Sequence, residues 1–375
     1  MSLFMLMPLF VWLYEIVSLI RPLKISAWYK FIFALILMVG ISREFLYRRT
    51  ARGFDVYELP YPALLAMSLI FNFLVITFFI LLMKDACFIV WKIFSRAPFP
   101  GHCASLFVFS VSLCATLYGT YEGLRVPGVN SHEVVIENLG KEFDGLKVAM
   151  LVDIHADALT NREAVQKIVN KTNSLGPDLI LMPGDFVDGQ VISRFKDLEP
   201  LKNLKAPLGV FGSTGNHEYY YDLKGWLNAL ENDFGVKMLE NEHVILKSGD
   251  AELIIAGVPD MTGGQMGISA APDIEQALKD IPEGSPVILM DHRPNGAPRN
   301  AKYNVALQIS GHTHGGQIPG IFQIAKKMNG GFVRGWYQVE NMKLYVSPGT
   351  SQWNGFPVRI FDPSEITLFI LRSPE

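Results

Sequence analysis

The chain has 375 residues, 50% of them hydrophobic and only 18% charged, with a mean hydropathy of +0.24 and a formal net charge of −3. A soluble protein of this length carries about a quarter charged residues, and a slightly acidic balance excludes a nucleic-acid partner held by charge. The three cysteines, Cys87, Cys103 and Cys114, all fall in the first 121 residues, so the remainder has neither a disulfide framework nor a thiolate metal site.

The apolar excess lies at the front. Residues 1–20 form a first apolar run, interrupted by Glu15 and lacking a basic start or a small-residue cleavage site, which predicts a retained helix rather than a signal peptide. Ile25 to Ser42 is a second, with Lys30 near one end. Ala63 to Met83 is 21 residues without a charge, and His102 to Tyr121 is similar in length. About 20 apolar residues cross the hydrocarbon of a bilayer, so residues 1–121 are predicted to be a membrane region of four transmembrane helices, with the lipid bilayer as partner. Glu15 reads as a carboxylate near a membrane interface, with a functional intramembrane acid as the alternative. Four passes place the N-terminus and the rest of the chain on one side. Arg43, Arg48, Arg49 and Arg52 of the second loop, with Arg125 just after the fourth helix, lie on that side; Arg21, Lys24, Lys30, Lys84, Lys92 and Arg96 of the first and third loops lie on the opposite face. The difference tilts slightly toward a catalytic domain outside the cytoplasm.

Residues 122–145 read as a polar linker with an edge strand, and 146–375 as a second domain. There, strands ("KVAML", "DLILMPGD", "LGVFGSTGN", "AELIIAGV", "SPVILMDH", "NVALQIS", "KLYVS", "EITLFIL") alternate with helices over Arg162–Asn173 and Asp222–Asn232. Short β-rich apolar runs between helices predict an α/β fold with buried sheets.

Polar residues gather where the strands end: Asp153 and His155, Asp185 and Asp188, Asn216, His217 and Glu218, Asp291 and His292, His312 and His314. Ligand crevices of α/β sheets lie beyond the carboxyl ends of strands. Five of the eight histidines fall in these loops. Each pair alone has a plain reading as turn or cap residues; the set together suits two divalent ions bound by nitrogen and oxygen, with one carboxylate shared. Residues two apart on an extended segment face one way, which is the expectation for Asp153/His155 and His312/His314.

These blocks, Asp153-Ile-His155, Gly184-Asp185-Phe-Val-Asp188, Gly215-Asn216-His217-Glu218, His292 and Gly311-His312-Thr-His314, resemble the calcineurin-like metallophosphoesterase superfamily, in order and from about Lys147 to the C-terminus. The membrane front is similar to its membrane-attached bacterial branch, some of whose members cleave phosphate linkages in lipid precursors. The resemblance implies a four-layer sandwich, two mixed β-sheets flanked by helices, and a multi-pass protein of a bacterial inner membrane. It implies that Asp153, His155 and His314 bind one metal, that Asn216, His292 and His312 bind the second, and that Asp185 bridges. His217 would face the scissile phosphate and Asp188 would orient the site, with two ions of Mn, Zn or Fe as cofactors. The branch more usually reads "SRGLG" where this chain has "SPGTS" at Ser347–Ser351, so that arginine is missing here.

The expected activity is metal-dependent hydrolysis of a phosphodiester, pyrophosphate or phosphomonoester by an activated water, on a substrate that is phosphate-ester and lipid-linked in one version. The alternatives are a non-catalytic metal-binding scaffold and a phosphoprotein phosphatase. The stretch Gly320–Glu340, with Phe322, Phe332, Trp336, Tyr337, Lys326, Lys327 and Arg334, reads either as a β-hairpin or as a cradle for an anionic headgroup.

Overall fold

The computed structural model describes residues 3–50, 59–353 and 356–374. Two compact units emerge, Met1–Glu122 with Gly355–Ile360, and Gly123–Asn354 with Phe361–Glu375.

The first unit is helical: α1 (Leu3–Glu15), a π-helical turn (Ile16–Ile20), α2 (Ala27–Thr50), α3 (Tyr61–Phe94) and α4 (Gly101–Leu124). Each of the four apolar runs is therefore helical. Two of them, α3 and α4, are long and apolar enough to cross a membrane; Met7–Ile20 and Ala27–Ser42 are shorter apolar stretches. Arg43, Arg48 and Arg49 fall within the backbone of α2, and Arg52 lies outside the described residues. Glu15 is fully buried, and neither carboxylate oxygen has a hydrogen-bond partner.

A piece of chain near the C-terminus joins this unit. Asn72 Nδ2 on α3 donates to Pro357 O (3.1 Å) and to Thr120 Oγ1 (2.9 Å). Arg359 N donates to Gly119 O at 2.9 Å. Gly119 is required there, because a Cβ would stand 2.7 Å from Val358 Cγ2.

The second unit runs β1 (Gly128–Val135), β2 (Lys147–Met150), α5 (Arg162–Ser174), β3 (Leu179–Pro183), α6 (Val191–Leu198), β4 (Val210–Ser213), α7 (Asn216–Tyr220), α8 (Leu223–Asn228), β5 (Lys237–Met238), β6 (Glu242–Ser248) and β7 (Ala251–Gly257). It continues with α9 (Met261–Met266), α10 (Ile274–Ala277), β8 (Val287–Met290), α11 (Ala297–Asn300), β9 (Leu307–Ser310), α12 (Pro319–Met328), β10 (Gly335–Val339), β11 (Met342–Val346) and β12 (Glu365–Arg372). Two mixed six-stranded sheets result, ordered β1-β12-β2-β3-β4-β5 and β10-β11-β9-β8-β7-β6.

Alternation along the strands builds four layers. Val148 and Met150 of β2, Leu179 and Leu181 of β3, Leu253 and Ile255 of β7, and Ile288 and Met290 of β8 share one core between the sheets. Their neighbours face outward: Ala149, Ile180 and Met182 pack under α5, while Ile254, Ala256 and Leu289 pack under α10 and α11. Burial on both faces is why these strands read as unbroken apolar runs rather than alternating ones. β2, β3 and β4 are mutually parallel, as are β7, β8 and β9, so the carboxyl ends within each set open in one direction.

The stretch after the histidine pair is only partly a hairpin. Its first half is α12, and β10 then pairs antiparallel with β11. Arg334 is tied to Asp362 at 2.6 Å and to Phe361 O at 3.1 Å, and Trp336 packs on Tyr345 at 4.8 Å between ring centroids.

Candidate metal centre

The loops leaving β2, β3, β4, β8 and β9 meet at one place. Asp153 N donates to Gly184 O (3.2 Å), His155 N to Asp185 O (3.1 Å), and Asp188 N to Ala156 O (3.0 Å), so the first two loops run side by side. Gly311 N donates to His292 O (3.0 Å), which pairs the last two. His312 N donates to both oxygens of Asp153 at 3.1 Å and ties one sheet's loops to the other's.

Three overlapping donor groups form within this knot: Asp153, His155 and His314; His155, Asp185 and His217; Asp185, His292 and His312. Asp185 Oδ2 stands 3.1 Å from His292 Nε2 and 3.5 Å from His155 Nε2, between the first and last groups. Asp153 Oδ1 is 3.9 Å from the Nε2 atoms of both His155 and His314. Asn216 opens α7 beside His217, and its buried Oδ1 has no partner. Every one of these residues except His312 is nearly fully buried.

Asp188 orients two imidazoles. Its Oδ1 accepts from His155 Nδ1 at 3.1 Å and also from His217 Nδ1. Both rings therefore turn Nε2 toward the cluster. Glu218 does similar work on the backbone: Oε2 accepts from Gly215 N (2.8 Å) and Asp185 N (3.2 Å), and Oε1 from Phe186 N (2.8 Å). Glu218 sits in the motif, but only its place three residues after the helix cap marks this function in the sequence. Arg293 and Asp260, bonded to each other at 2.7 Å beside His312, carry no such mark.

The i, i+2 pairs converge for a different reason from the one expected. Asp153 (φ 55°), His155 (φ 44°), Asp185 (φ 55°), His312 (φ 70°) and His314 (φ 47°) all adopt left-handed backbone. The loops are coiled turns, not extended segments, and the turning brings each pair inward. Left-handed backbone costs a non-glycine residue about 1–2 kcal/mol, and strain of this kind collects at functional sites.

The electrostatics call for positive charge at the rings of His155 and His292, whereas burial, His292 and Arg293 hold His312 neutral. Burial would depress the His155 imidazole, but Asp188, then Asp185 and Asp153, outweigh it and push it up to about 9. His292, likewise buried, is pushed up to about 10, chiefly by Asp185. Against its own burial, Asp188 is held well below the usual carboxylate range by His155 and His217. A metal ion meets that demand and satisfies the orphaned atoms. His292 Nδ1 is 2.7 Å from Pro183 O, which fixes that proton and leaves buried Nε2 without a hydrogen bond, in the orientation of a ligating histidine. Oxygen and imidazole donors without thiolate suit Zn, Mn or Fe. The residues present fit two divalent ions.

A family model described as calcineurin-like phosphoesterase matches residues 146–316. A transmembrane protein with metallophosphoesterase domain from Danio rerio is 33% identical over 270 residues, 70% of this chain and 61% of the relative. An uncharacterized metallophosphoesterase of Campylobacter jejuni is 35% identical over 271 residues, covering 72% of this chain and 69% of its own length. One from Helicobacter pylori (strain ATCC 700392 / 26695) is 36% identical over 252 residues, 66% and 65% of the two chains. The chain thus spans about six tenths of the Danio rerio relative's length.

Proposed function

Because the chain belongs to the calcineurin-like phosphoesterase family, we propose that it is a membrane-attached, metal-dependent hydrolase of phosphodiesters, pyrophosphates or phosphomonoesters. The observation that carries this is the position of Asp185 Oδ2, within 3.5 Å of imidazole nitrogens from two separate donor groups. Asp153, His155 and His314 would hold one ion, Asn216, His292 and His312 would hold the other, and Asp185 would be shared. Two divalent ions bound there would supply an acidified water at neutral pH and neutralise phosphoryl charge.

The chain's own groups do the rest. Asp188 fixes His217 through Nδ1, and His217 Nε2 faces the cluster at 3.9 Å from Asp185 Oδ2. From there the imidazole delivers a proton to the departing alkoxide oxygen. Burial of Asp153, His155 and Asp188 keeps bulk water from the inner face, where charges interact more strongly. Two helices long and apolar enough to cross a membrane, and relatives named transmembrane proteins, support membrane association. We extend the proposal to four passes, an extracytoplasmic catalytic unit and substrates that include lipid-linked phosphate esters.

Metal analysis of the purified chain, followed by a panel of mono-, di- and pyrophosphate esters with Mn²⁺ and with chelator, tests this reading. Hydrolysis that chelator abolishes is expected. A protein that binds two ions and turns over nothing would make it a scaffold.

A further inference from the structure

We propose that Arg293 is a substrate-binding residue, gripping a non-bridging oxygen of the phosphoester beside Asp185, His292 and His312. The inference rests on the hydrolase reading above and narrows where the phosphoryl group lies.

Arg293 follows His292 directly, and three contacts fix its guanidinium. Nε donates to Asp260 Oδ2 at 2.7 Å, and Nη2 donates to Thr262 Oγ1 at 3.1 Å. Asp260 is itself buried and held by Thr262 N at 2.8 Å. The third contact is Nη1, 3.3 Å from His312 Nε2.

That third contact cannot survive metal binding. A neutral imidazole owns one lone pair. If the ion takes it at Nε2, Nη1–H loses its acceptor. If the ion binds Nδ1, the ring proton moves to Nε2 and two donors face each other. Either way, one guanidinium N–H is left aimed at the metal face with nothing to accept it. Arginine does not escape by losing its proton at any ordinary pH. The side chain is 21% exposed, so the face it points across is open to an incoming group. An anionic oxygen answers both the free donor and the added positive charge. The anchors on Asp260 and Thr262 matter here: orientation is fixed by the fold before the ligand arrives.

The test uses the full chain in detergent, loaded with Mn²⁺. Inorganic phosphate binding is read by calorimetry, kcat and KM with bis-p-nitrophenyl phosphate, and metal content by elemental analysis. Arg293→Ala is expected to keep its metal, weaken phosphate binding and raise KM by about 10- to 100-fold, as losing a charge-assisted bond does. Added guanidinium ion restores part of the affinity, which a merely structural arginine would not allow. Arg293→Lys keeps the charge without the fork and falls between the two, and it carries the test if the alanine variant does not fold. Unchanged phosphate affinity and KM in an active preparation overturn the assignment, with a water as the acceptor instead. So does loss of metal in step with loss of binding, which would mean that Arg293 acts through His312. An inactive wild-type holoprotein instead overturns the hydrolase reading from which the inference starts.

Discussion

Gly215→Ala tests whether the loops after β3 and β4 must touch backbone to backbone for the site to exist. Gly215 has φ −97° and ψ −170°, open to any residue, so alanine meets no conformational penalty there. The cost is space. A Cβ would lie 2.5 Å from Asp185 N and 2.8 Å from Asp185 Cγ, and closer still to Asp185 Oδ1. Gly184 leaves no retreat, since its own Cβ position is 2.5 Å from Gly215 Cα. Asp185 must move, and it carries the bond from His217 N at 2.9 Å and the bond to Glu218 at 3.2 Å. Overpacking costs about 1–3 kcal/mol, and a lost bond to a charged group about 1.5–3 kcal/mol. A loss of about 3–5 kcal/mol follows, or roughly 6–20 °C in the melting temperature of a unit this size, with metal affinity down about 10- to 100-fold. Gly128→Ala is the control, because its Cβ meets nothing nearer than 3.9 Å. Thermal melts in chelator and in Mn²⁺, with elemental analysis, read both effects. A Gly215→Ala protein melting within about 2 °C of wild type in chelator, with full metal content, would refute the packing argument.

His217→Ala is expected to lower kcat by about 10²- to 10⁴-fold while metal content stays at the wild-type level, because the ring's Nδ1 is committed to Asp188; full activity would remove its assigned proton. Without metal, the second unit should lose stability as pH rises from 7 to 10. His155 and His292 titrate in the folded state at about 9 and about 10, above the unfolded value near 6.5, so their contribution is complete below that value and disappears as pH climbs through the folded ones. Melts in chelator across that range check this, and bound metal should flatten the trend by taking the imidazole lone pairs. Glu15→Leu should raise the stability of the helical unit by about 1–3 kcal/mol, since it removes a buried polar group without partners; circular dichroism in detergent reads it, and a lower melting point would show that the carboxylate is held in place.

Much of the second unit was legible because its signals are local. Continuous apolar runs marked β2, β3, β7, β8 and β9, and the ends of those strands located the donors. Pairing between distant segments left no such trace. Nothing in "GVNSHEVV" says that β1 runs parallel to β12, or that Phe356 to Ile360 leaves the second unit to pack with α3 and α4. Residues whose partners are far off, such as Arg293 with Asp260, stayed silent for the same reason. The short α9 and α10 offered too few residues for a helical period to show.

The donor groups come together for a reason other than the extended spacing of the sequence, and the difference bears on function. Extended segments would leave Asp153 and His155, or His312 and His314, side by side at little conformational cost. Instead five donors hold left-handed backbone, which still costs them relative to right-handed backbone even though Asp and His tolerate it better than most residues. Glu218 gripping three amides, Asp188 gripping two imidazoles and Asp153 accepting from His312 N are what hold it. Most of these bonds join loops from different strands, so no single loop is stable in its shape alone. The site is therefore one cooperative unit: loosening Glu218 or Asp188, neither of which is assigned to an ion, should disturb every donor at once rather than the nearest one.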